Sequence, residues 1–393
     1  MTENSVTENT ASTITWFAPG RANLMGEHTD YNEGLVLPFA LAQGVTATAT
    51  PRPGAQLVLT SKQMPGDRVT VPLAALAPGS VTGWGAYPAG VAWALAEAGY
   101  PVPGAGIVID SDLPVGAGVS SSAALECSVA LALAGLGGHS IERRELAAIA
   151  RRAENDFVGA PTGMIDQSAA LLCAAGHAML LDCGTLEIRQ VPFQPARDGV
   201  LALVIDTCVP HALVSGQYAT RRAECEAAAR ELGVPALCSR EARAGQPGGG
   251  GAAGASPAAA GALADPVSRR RARHVLSDCA RVREIASLLD GPLAGAARYE
   301  AIGDLLTEGH ASLRDDFEVS WPEADVTVEA ARAAGAFGAK MIGGGFGGSV
   351  LALVRAADLA AVRAAVTAQF ARRGWDSPQF LNAVPSPPAR RIS

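Results

Sequence analysis

The sequence predicts an α+β protein of two domains, and three observations carry the prediction. Its 393 residues exceed what one hydrophobic core usually organises. Hydrophobic residues make up 49% and charged residues 18%, the balance of a compact globular chain. Strand-like runs bounded by turn residues fill the first stretch, and amphipathic helices follow it.

From Ile14 to Thr70, turn signals at Pro19-Gly20, Asn32-Glu33-Gly34 and Pro51-Arg52-Pro53-Gly54 separate apolar runs such as 35–41 and 57–60. Tyr87–Gly99 reads as a helix and Gly106–Asp110 as a strand. Over Ser120–Leu136 the small apolar residues form a helical stripe, with serines where N-caps belong. A further amphipathic helix is expected over Ile141–Phe157, then the strand pair His177–Leu181 and Leu201–Asp206. Residues 242–264 are Gly/Ala/Pro/Ser-rich and predict a flexible surface insertion. Helices resume over Asp265–Leu289, and the terminal PSPPARRIS is expected to fray, as is the polar N-terminal MTENSVTENTAST.

The formal charge of -7 argues against a nucleic-acid partner. No run approaches the ~20 apolar residues of a membrane span, and no secretion signal opens the chain. Seven scattered cysteines without a C-x-x-C pair predict reduced thiols in the cytoplasm. Only Lys62 and Lys340 are lysines, and neither stands in G-x-x-x-x-G-K-S/T or in the strand context of a protein kinase. Any kinase chemistry must therefore use another architecture.

Three segments concentrate chemistry. The first, GRANLMGEHTDYNEG, packs Arg21, Asn23, Glu27, His28, Asp30 and Tyr31 into one turn-rich span. Planar polar groups of this kind suit sugar hydroxyls; zinc at His28 is the rival, weakened by the lack of a second ligand at a suitable spacing. The second, Leu113–Leu125, joins a strand to a helix through glycines and three serines, so backbone amides and a helix N-terminus can cradle phosphate. A glycine turn before a well-capped helix, with no ligand, is the plain alternative. The third, KMIGGGFGGS at 340–349, contains G-x-G-x-x-G but is followed by a strand, which excludes a dinucleotide unit and leaves a ligand-facing loop or a simple hairpin. Between them, Glu154 and Asp166 lie twelve residues apart: one carboxylate can hold Mg²⁺ while the other orients or deprotonates a hydroxyl. Asp166, set among apolar and small residues, is the stronger catalytic candidate.

In this order the segments resemble the motifs of the GHMP kinases, and the first closely resembles the galactokinase signature. The resemblance spans Ala18 to Leu353 apart from the insertion. It implies a ribosomal-S5-like N-terminal domain (12–205), a ferredoxin-like C-terminal domain (206–385) and an active site between them. It implies ATP and Mg²⁺ as cofactors, galactose as substrate and a monomer.

Residue by residue it places Arg21 and Asp166 as the catalytic pair, and Glu27, His28, Asp30, Gly163 and Tyr218 on the sugar. The loop Gly116, Ala117, Gly118, Val119, Ser120, Ser121 and Ser122 falls on the phosphates, with Ser122 and Glu154 on Mg²⁺ and Trp84 beside adenine. Two departures stand out: Ile342 occupies a place where galactokinases commonly carry threonine, and 242–264 is unlike the family. A sugar sensor lacking catalysis is the rival from another class, but such relatives lack the Ser-Ala step that Ser122-Ala123 preserves. Kinases for N-acetylgalactosamine or arabinose are the nearer alternatives.

Overall fold

The computed structural model describes residues 13–114, 116–210, 216–240, 242 and 257–393. Strand β1 (Ile14–Asn23) pairs antiparallel with β3 (Pro38–Pro51), and the register slips between Pro19 and Arg21. That bulge turns the backbone of Arg21 outward, where its N–H donates to the Val119 carbonyl at 3.0 Å. Gly20 permits the approach, because a Cβ there would lie 2.6 Å from the same carbonyl oxygen.

With β4 (Gln56–Ser61), β5 (Val69–Pro72), β6 (Ala105–Ser111) and the C-terminal β13 (Arg390–Arg391), these strands form a six-stranded sheet in the order β13-β1-β3-β6-β4-β5. Helix α2 (Ser121–Leu136) packs across β1 and β3, and α1 (Ala86–Glu97) packs against α2. A three-stranded sheet, β2-β7-β8, joins β2 (Leu35–Val36), β7 (His177–Asp182) and β8 (Ile188–Pro192). Beside it lie α3 (Arg143–Arg152) and α4 (Ile165–Leu172).

The second unit begins at β9 (Val200–Asp206), whose partners are β11 (Ser349–Arg355) and β12 (Gln379–Asn382). With β10 (Gly338–Ile342) the sheet runs β10-β11-β9-β12. Helices α5 (Gln217–Glu231), α6 (Pro266–Asp290), α7 (Gly295–Asp315) and α8 (Pro322–Ala333) intervene between β9 and β10, and α9 (Leu359–Arg373) between β11 and β12. Strand, helices, two strands, helix, strand in this spatial order is the ferredoxin-like arrangement.

Several expectations change. Leu201–Asp206 does not pair with His177–Leu181; β7 pairs with β2 and β8, because the 183–199 connection carries a further strand before the chain crosses to the other sheet. A boundary at 205/206 would cut off β9 from both its partners, which places the division before Val200. The helix expected to reach Phe157 ends at Arg152 and widens into a π turn over Ala153–Val158.

Most of the predicted insertion, 243–256, lies outside the described residues, but its far end is not loose. Pro257–Ala262 forms a 3-10 segment against α6, with Ala260 and Leu263 buried. Asp265 then caps α6, accepting from the Ser268 N–H at 2.7 Å, with Pro266 at the first helical position. Nor does the C-terminal tail fray. Arg390 and Arg391 pair with Phe17 and Trp16, the Ala389 N–H donates to the Ala170 carbonyl, and Arg143 donates to the Ala389 carbonyl. No helix among the described residues is long and apolar enough to cross a membrane.

Candidate active site

The three motif segments converge on one cavity of about 240 Å³ between the two units. Arg21, Glu27, His28, Asp30, Gly116, Gly118, Ser120, Ser121, Ser122, Glu154, Gly163, Asp166 and Tyr218 all line it, together with Gly343 and Gly344 of the glycine loop. Ala117 and Val119 are buried behind the loop instead of facing the cavity, their carbonyls bonding Ser349 Oγ and the Arg21 N–H. Trp84 does not line this cavity; its Nε1 donates to Asp67. One helical turn on, Tyr87 does line it, its phenol pushed up to about 12 by burial and by the carboxylates of Glu154 and Glu126.

At the floor, Arg21 Nε donates to Asp166 Oδ1 at 2.7 Å while another guanidinium nitrogen donates to the Gly118 carbonyl at 2.7 Å. One arginine thus holds both the carboxylate and the glycine-serine loop. Asp166 sits in the first turn of α4 with its side chain 24% exposed, open to the cavity. Deep burial falls on Glu154 instead. The π turn aims it inward, and its Oε2 accepts from Thr162 Oγ1 at 2.7 Å and Gln167 Nε2 at 2.8 Å. Burial raises its pKa, Asp166 adds to the rise, and the Thr162, Gln167 and Ser122 contacts oppose it.

Gln167 also donates to Glu126, a fully buried acid on α2 whose pKa burial and Glu154 push well up. Two buried carboxylates at the root of a phosphate-type loop, with Ser122 beside them, form an oxygen-donor set that suits Mg²⁺. The signal for Glu126 was a lone charge in an Ala/Leu/Val stripe. No group of three or more His, Cys, Asp or Glu is gathered as for a metal cage among the described residues.

The serine loop departs from simple capping. Ser120 takes a left-handed conformation (φ 61°, ψ 48°), makes no side-chain cap to α2, and leaves its buried Oγ without a protein partner. The helix start therefore keeps its amides for an anion. Opposite, β10 and β11 form a hairpin whose loop packs on this one: a Cβ on Gly348 would lie 3.5 Å from the Ala117 carbonyl oxygen. Both readings of the glycine segment hold together, a hairpin that also faces the cavity. Ile342 is buried and does not line the cavity.

On the polar wall, Asp30 and Gly163 touch so closely that a Cβ on Gly163 would overlap Asp30 Oδ2 at 1.4 Å. Burial raises the Asp30 pKa, with Asp166 adding to the rise. His28 bonds the Tyr31 hydroxyl through Nδ1 at 3.0 Å and packs on Tyr218 and Phe317, ring centroids 5.2 and 4.7 Å away. Glu27 is buried and bonded through Oε2 to Lys340 Nζ of β10, while Oε1 has no protein partner. Burial raises its pKa and Lys340 pulls it back. Both side-chain polar atoms of Asn23 are likewise buried without a partner, and Asn23 lines the cavity.

Behind them α6 buttresses the signature: His274 bonds the Glu27 carbonyl at 3.1 Å and Asp278 accepts from the Gly26 N–H at 3.0 Å. Sequence reasoning missed Lys340 and His274 as supports, since each acts across more than 240 residues of chain.

Residues 6–51 match the galactokinase galactose-binding signature, 86–174 the GHMP kinases N terminal domain and 292–372 the GHMP kinases C terminal domain. Galactokinase from Streptomyces coelicolor is 47% identical over 378 residues, covering 96% of this chain and 94% of the relative. Galactokinase from Mycobacterium tuberculosis is 45% identical over 382 residues, covering 96% and 99%. The crystal structure of Lactococcus lactis galactokinase complexed with galactose superimposes with a TM-score of 0.86 at 30% identity, covering 98% of this chain and 97% of that one. Methanococcus jannaschii mevalonate kinase shares the fold at a TM-score of 0.63 and 15% identity. A signature match at the polar wall, near-full-length identity and a shared two-unit fold agree: the chain belongs to the galactokinase family of the GHMP kinases.

Proposed function

We propose that the protein transfers the γ-phosphoryl group of ATP to the C1 hydroxyl of D-galactose, giving galactose 1-phosphate and ADP, the entry step of galactose catabolism. The observation that carries this reading is the Arg21–Asp166 pair at the floor of a cavity with a phosphate-type loop on one side and the galactokinase-type polar wall on the other.

Arg21 occupies Asp166 Oδ1, which leaves Oδ2 for the C1 hydroxyl. Asp166 orients that hydroxyl and takes its proton as the O–P bond forms. Arg21, fixed to the Gly118 carbonyl, keeps positive charge beside the phosphoryl path. The α2 amides and Ser120–Ser122 hold the phosphate oxygens, and Ser122 with Glu154 would hold Mg²⁺, whose charge would offset that of the phosphates. The unpartnered Glu27 Oε1 and Asn23 amide, with His28, Asp30, Tyr218 and the Gly163 backbone, accept and donate to the sugar hydroxyls. The buried free thiols support the cytoplasm as the protein's compartment.

An ATP-consumption panel over galactose, N-acetylgalactosamine, arabinose, glucose and mevalonate tests the substrate; turnover led by a sugar other than galactose overturns it. Asp166→Ala is expected to abolish turnover while unfolding stays cooperative. Substantial residual ADP production would remove Asp166 from its role.

A further inference from the structure

A second cavity, of about 320 Å³, lies between α3, α4 and the β7–β8 hairpin, and it shares no lining residue with the active site. Its position follows from helical periodicity. Met164, Ser168 and Leu172 project from one side of α4 at four-residue spacing, while Asp166 projects from the other. The cavity therefore lies directly behind the proposed catalytic carboxylate.

Leu172, Leu181 and Ile188 give it an apolar wall, and arginines of α3 stand along it. Arg144 donates to the Leu186 carbonyl at 3.0 Å, and Arg151 makes only a long 3.5 Å contact to the Thr162 carbonyl. Neither guanidinium lies within ion-pair distance of a carboxylate among the described residues, and the lining acid, Asp156, is already paired with Arg152. An apolar wall beside two cations, of which Arg144 has no carboxylate within ion-pair distance and Arg151 is attracted by Asp30 only from beyond it, complements a small apolar molecule bearing one anionic group.

From this arrangement we infer that the cavity is an effector site for a small apolar anion, acting on the sugar-binding loop through Arg151 and Thr162. Thr162 connects the two cavities. Its carbonyl accepts from Arg151 and Asn155 on the effector side, its hydroxyl donates to Glu154 Oε2, and the next residue, Gly163, abuts Asp30. An anion that draws the Arg151 guanidinium outward removes one of the two donors on the Thr162 carbonyl and takes positive charge away from Asp30, so that the Thr162–Gly163 segment shifts against the sugar wall. Galactose binding weakens, while the Arg21–Asp166 pair is untouched.

The probe is 8-anilinonaphthalene-1-sulfonate, an apolar body with one sulfonate, titrated by fluorescence into the full-length protein saturated with galactose and a non-hydrolysable ATP analogue. The expected result is one saturable site per chain, weakened at least tenfold by Arg144→Glu, which removes a cation, and by Ala148→Trp, which fills the cavity from an exposed helix position. In the coupled assay the probe should raise the KM for galactose severalfold with little change in kcat, and should not do so in Arg144→Glu. Displacement by the ATP analogue, affinity unchanged in the folded variants, or an unchanged KM at saturating probe would each overturn the assignment. Should one variant fail to fold, the other decides.

Discussion

At the scale of single residues, the most consequential contact is the one between Glu27 and Lys340, because both are buried and they come from different units. Removing one member of such a pair leaves an uncompensated charge, at a cost of about 3–5 kcal/mol. Lys340→Met is therefore expected to lower stability by that order in urea titrations and to weaken galactose binding by calorimetry. Adding Glu27→Gln should recover much of the stability and none of the affinity. The acids of the first motif were legible in the sequence because a local cluster of sugar-type groups is visible without any fold. Lys340 was not, because its meaning depends on β10 delivering it to a segment 313 residues earlier in the chain. Ser120 illustrates the converse: its position suggested a cap, and its left-handed backbone instead withholds the hydroxyl from the helix.

Among the elements, α6 does more than fill the core. His274 on it is fully buried between the Glu27 carbonyl and Ser312 Oγ, with the Phe317 ring 4.5 Å away and Asp278 and Arg281 nearby. Burial lowers its pKa below 6.5, so the neutral imidazole donates to the carbonyl and accepts from the serine. A depressed histidine pKa means that the unfolded chain binds a proton the folded one resists. Stability contributed by neutral His274 is present above 6.5 and falls as pH drops below it, by up to about 1.4 kcal/mol per pH unit. Thermal unfolding between pH 5 and 7.5 should show this slope reduced in His274→Gln, which should also melt lower throughout. Helix existence was legible from apolar periodicity at α1, α2 and α6. The π turn that ends α3 was not, because one extra backbone residue leaves the side-chain pattern nearly unchanged while rotating Glu154 inward.

For the molecule as a whole, the last residues close the first sheet after the chain has completed the second unit. A tail rich in proline and arginine looked loose because its ladder partners, Trp16 and Phe17, lie at the opposite end of the sequence. Deleting residues 387–393 exposes β1 as an edge and removes the Arg390 stack on Phe17, 4.4 Å from the ring centroid. Calorimetry should find a lower melting temperature, by about 1 °C for each kcal/mol lost in a chain of 393 residues.

The scarcity of lysine has a practical side as well. Lys340 is sealed at 0% exposure, whereas Lys62 is 63% exposed, pairs with Asp110 and takes no part in the cavity. Besides the chain's own amino terminus, Lys62 is thus the sole primary amine offered to an acylating reagent. Peptide mapping after N-hydroxysuccinimide ester treatment at neutral pH should find Lys62 modified and Lys340 intact, with turnover retained. With the more acidic terminal amine blocked first, the enzyme can then be tethered to a surface through Lys62 alone.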